Sequence, residues 1–80
     1  MNVAVVADTK IQAKAIADTL GLDNPWLFGS GSHLAFEGVI ADLVLIDESA
    51  TISNIFRETI FGCMQKCHGK IRRISLQPDI

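Results

Sequence analysis

Eighty residues suffice for one domain, a single small α/β domain over 1–80, and are too few for two independent cores. With 49% hydrophobic and 20% charged residues the composition is globular and excludes intrinsic disorder. The formal net charge of −2 singles out no class of partner.

Asn2 to Ala7 (NVAVVA) is a continuous apolar, β-branched run, the pattern of a strand buried on both faces. Asp8 and Thr9 offer N-caps, and Thr9 with Gln12 has capping-box spacing. Ala13, Ile16, Ala17 and Leu20 recur at helical spacing, which predicts a helix over 9–20. Gly21 suits the left-handed position after it, with Leu22 folding back on the helix. Asp23-Asn24-Pro25 is a turn. Trp26 to Phe28 and His33 to Phe36 read as two short strands joined by Gly29-Ser30-Gly31-Ser32, a hairpin; a short helix over 33–37 is the competing reading. Asp42 to Asp47 (DLVLID) is the clearest strand, placed centrally in a parallel sheet. Ser49 or Thr51 caps a helix over 51–67 with the apolar stripe Ile52, Ile55, Phe56, Ile60, Cys63, Met64 and Cys67, ended by Gly69. Lys70 to Leu76 is the last strand, and Pro78 stops it. The order β-α-β-β-β-α-β predicts a small Rossmann-like sheet of four to five strands, mostly parallel, with two helices. The crossover between the last two strands is expected to be right-handed.

No apolar run approaches the roughly eighteen residues of a membrane span. Met1 leads into a strand-like run with no basic leader, so a cytoplasmic location without a membrane partner is expected. The two cysteines then read as reduced thiols. Cys63 and Cys67, four apart on one helix, are either core residues or half of a zinc site.

Charge is divided along the chain. Residues 1–56 hold two lysines against seven acids (net −5), and residues 57–80 hold five cations against two acids (net +3). This pattern fits a solvated helix face with a charge-guarded edge strand, or else an anionic ligand or head-to-tail self-association. Asp8, Asp47 and Glu48 fall at strand ends, where open α/β sheets bind ligands. If their strands are neighbours, they could meet around Mg²⁺. Helix capping and helix-dipole complementation account for the same residue types. The Gly29–Ser32 stretch is either a turn or a wrap of backbone amides for an anion.

Residues 39–48 (VIADLVLIDE) resemble a Walker B strand. The order ADTKIQA (7–13), GSGS (29–32), VLIDES (44–49) and ISLQP (74–78) is similar to the core of RecA-like P-loop ATPases of the phage terminase large-subunit and helicase type. That resemblance implies that Asp47 would help hold Mg²⁺ and Glu48 would activate water. The chain has no G-x-x-x-x-G-K-[ST] segment to cradle a triphosphate, so self-sufficient ATP hydrolysis is not expected. VADTKIQAKAIADTLG also resembles the first unit of the toprim fold, although Asp8 stands where that fold has Glu.

The functional expectation is a non-enzymatic protein-interaction module without a cofactor. The resemblance points to a phage or mobile-element accessory protein that binds a host factor. Trp26, Leu27 and Phe28 are the candidate interface. Such a small chain is also expected to pair with its own copy as a homodimer. The alternatives are the acidic site just described, binding nucleotide or phosphodiester with Mg²⁺, or nucleic-acid binding through Lys66, Lys70, Arg72 and Arg73.

Overall fold

The computed structural model describes residues 1–75. In it the chain runs β1 (Val3–Val6), α1 (Lys10–Thr19), β2 (Trp26–Phe28), α2 (His33–Phe36), β3 (Leu43–Asp47), α3 (Asn54–Cys67) and β4 (Lys70–Ile74). The strands form one sheet in the order β2-β1-β3-β4, and every pairing is parallel. The chain steps from β1 outward to β2, then returns past β1 to β3. The reversal therefore falls between β1 and β3, as in doubly wound sheets.

Side-chain alternation divides the interior into two layers. Ala4, Val6 and Val44 face α2 and α3 and pack with Phe28, Phe36, Phe56, Ile60 and Met64. Val5 and Ala7 face α1 and pack with Ala13, Ile16 and Ala17. All four residues of β1 are buried, as its unbroken apolar run requires.

Local signals hold for α1. Thr9 Oγ1 accepts from Gln12 N–H (3.1 Å), and Gln12 Oε1 accepts from Thr9 N–H (3.2 Å). Gly21, at φ 67°, closes the helix. Leu22 N–H donates to Ala17 O and Gly21 N–H to Asp18 O, and Leu22 packs against the layer beneath.

Several expectations are corrected. The 26–36 hairpin does not form: β2 pairs parallel to β1, and His33–Phe36 is a helical turn, giving three helices rather than two. In a strand Leu34 and Phe36 would share a face. The turn instead sends Phe36 into the core at 4.8 Å from the Phe28 ring, while Leu34 stays exposed. Next, α3 begins at Asn54, capped by Ser53, whose Oγ accepts from Phe56 N–H (3.2 Å). Thr51 lies before the helix, its N–H donating to Asp8, and Ile55 is exposed instead of belonging to the buried stripe.

At the other end of α3, His68 and not Gly69 takes the left-handed position (φ 60°). Gly69 answers a different need, since a Cβ there would collide with the Ala41 carbonyl oxygen and Met64 Sδ. The expected extension of the last strand to Leu76, and Pro78 beyond it, lie outside the described residues.

Candidate functional site

β1 and β3 are neighbours, so Asp8, Asp47 and Glu48 do share the carboxyl end of the sheet at its reversal point. Their geometry shows what two of them do. Asp8 Oδ1 accepts from the N–H of Thr51, 43 residues away, at 2.6 Å. Asp47 accepts from Ser49 N–H (3.2 Å) and Ser49 Oγ (3.0 Å). Both aspartates thus shape the β3–α3 loop. Neither caps a helix, a role taken by Thr9 and Ser53.

Beside them Asp47, Glu48, Arg57 and Arg73 line a recess of about 50 Å³. That is room for a few waters at most. Among the described residues no group of three or more His, Cys, Asp or Glu side chains could hold a metal ion.

In the glycine-serine stretch, Ser30 N–H donates to Asp8 O and Ser32 N–H to Gly29 O, so two amides that could wrap an anion are already engaged. Gly29 lies against the β1–α1 junction, where a Cβ would stand 3.2 Å from Lys10 N. Cys63 Sγ donates to Phe36 O (3.6 Å) and Cys67 Sγ to Ala41 O (3.4 Å). The two half-buried thiols tie α3 to the segment running from α2 into β3.

The aromatic run at 26–28 separates into three environments. Phe28 is core, Leu27 is half-buried against the α1 layer, and Trp26 is half exposed and stacked on Phe28 with centroids 6.5 Å apart. The four basic residues also fail to form one surface. Lys66 lines a recess with Val39, Ile40 and Cys63 on the α2 side of α3. Lys70, Arg72 and Arg73 stand on β4, and strand alternation turns Arg72 and Arg73 to opposite faces of the sheet.

An open concavity lies elsewhere, between α3 and β4. A groove of about 510 Å³ is lined by Phe61, Met64, Gln65, His68, Gly69 and Ile71. A second, of about 390 Å³, runs along α3 past Arg57, Glu58, Phe61 and Gly62. Phe61 borders both, and its side is 59% exposed.

The sequence reading passed over this ring. Its signal was an aromatic residue one place after Ile60 and outside the 3.6-residue stripe, a position that helical geometry turns away from the core.

Among the described residues no helix is long and apolar enough to cross a membrane. No family model, curated protein or solved structure matches the chain.

Proposed function

We propose that this chain is a non-enzymatic protein-binding module whose partner sits on the α3–β4 side, over Phe61. The observation that carries this reading is the position of that ring, largely exposed between two adjoining grooves. Fully burying a phenylalanine side chain is worth about 1.5–3 kcal/mol, and most of that remains available to a partner. Aromatic anchors set beside pockets are where binding energy concentrates. In keeping with the phage-type pieces of the sequence, the partner is a host protein met in the cytoplasm.

The acidic-site alternative has less support, because Asp8 and Asp47 are both engaged by the β3–α3 loop. The nucleic-acid alternative is weakened by the scatter of its four cations over separate surfaces.

A benzophenone amino acid placed at Gln65 should capture a partner that the same group placed at Asp23 does not. With that partner purified, Phe61→Ser should weaken binding about thirtyfold, the effect of losing a hot-spot ring. Equal capture from both positions, or unchanged affinity of the Phe61→Ser variant, would sink the proposal.

A further inference from the structure

The order β2-β1-β3-β4 makes β4 the outermost strand on its side among the described residues. In the doubly wound order 2-1-3-4-5 a parallel strand lies at that place. Lys70 N–H donates to Asp42 O, and Ile74 O accepts from Glu48 N–H, so residues 70, 72 and 74 turn their main-chain groups inward to β3. By strand alternation the N–H and C=O of Ile71 and Arg73 point outward.

The side chains beside this edge are cationic. Lys70, Arg72 and Arg73 are exposed, and the one side-chain ion pair among the described residues joins Lys14 to Asp18. Lys70 and Arg72 lie on the α1 face. Arg73 lies on the α3 face near Arg57, and on that same face Ile71 lines the groove together with Phe61 and Met64.

Resting on the binding-module reading above, we infer that β4 is an open strand position that takes an acidic extended segment of the partner by sheet addition. The side chains that would face residues 70 to 74 in turn run acid, apolar, acid, acid, apolar. Carboxylates then meet Lys70 and Arg72 on one face and Arg73 on the other, and an apolar residue enters the groove over Ile71.

Two other occupants fit less well. A second copy added antiparallel about Arg72 would set Arg72 against Arg72, and like charges directly opposite one another repel. Edge charges exclude like strands in just this way, and an acid-bearing strand is the kind such a guard admits. A nucleic-acid backbone could accept from the two outward N–H groups but has no regularly spaced donor for the two carbonyls.

The test uses the ¹⁵N-labelled full chain and a synthetic peptide in the acid–apolar–acid–acid–apolar order. Saturable binding should slow amide exchange at Ile71 and Arg73 about tenfold or more beyond any slowing shared by Lys70, Arg72 and Ile74. N-methylating the peptide at its paired positions should weaken binding at least about tenfold. Arg72→Glu with Arg73→Glu should abolish binding of the acidic peptide, and a lysine version of the peptide should restore it.

Four results would overturn the inference: no binding by the peptide; preference for a single-stranded oligonucleotide over the peptide; protection of the same two amides by self-association alone; or peptide binding that needs Phe61 and leaves the Ile71 and Arg73 amides unchanged. The last leaves the groove reading standing, and the benzophenone capture tests that reading separately.

Discussion

Two phenylalanines five residues apart on α3 should respond to the same substitution very unequally. Phe56 is completely buried, between the Phe36 ring at 5.7 Å and the sheet. Phe61 is 59% exposed. Truncating a core phenylalanine to alanine costs about 3–5 kcal/mol, combining lost transfer energy with the cavity left behind. At Phe61 about two-fifths of the burial is present, so only about 0.6–1.2 kcal/mol is at stake. A chain of this length has a total stability on the order of 4–12 kcal/mol. Phe56→Ala therefore consumes a large part of it, whereas Phe61→Ala leaves the domain folded.

Each kcal/mol shifts Tm by roughly 4–8 °C in a domain of this size. Phe56→Ala should lower Tm by at least ~12 °C and Phe61→Ala by at most ~10 °C. Urea titration followed by circular dichroism, with Tm from calorimetry, reads both. A loss above ~2 kcal/mol in Phe61→Ala would show that the ring is packed into the fold, and the proposed anchor would be lost with it.

Three further outcomes follow from the same geometry. Gly69→Ala should destabilise by about 1–3 kcal/mol in the urea midpoint, because the Ala41 carbonyl cannot move aside for a new methyl group; a neutral result would mean that β4 docks less closely than described. Asp8→Ala should cost about 1–2 kcal/mol and speed exchange of the Thr51 amide selectively, since that amide donates to the Asp8 carboxylate. Millimolar Mg²⁺, with or without nucleotide, should leave Tm unchanged; a rise that Asp47→Asn removes would favour the acidic site, because a ligand at a hundred times its Kd adds about 2.7 kcal/mol.

What the sequence determined by itself was whatever neighbours in the chain decide. The α1 start lies in Thr9 and Gln12, three residues apart, and its end in Gly21 and Leu22, so both were legible from local chemistry. The apolar runs of β1 and β3 announced strands shielded on both faces, and with them a parallel α/β sheet. The tertiary structure decided the rest, because those outcomes depend on partners far away in the chain. His33–Phe36 became helical because that geometry puts Phe36 between Phe28 and Phe56. The cap of α3 fell to Ser53, while the loop before it is tied to Asp8, which holds the Thr51 amide from 43 residues away. Whether Phe28 or Phe61 meets solvent followed from which layer covers each ring. Periodicity records that a residue is apolar, but the packing of separate elements determines what it touches.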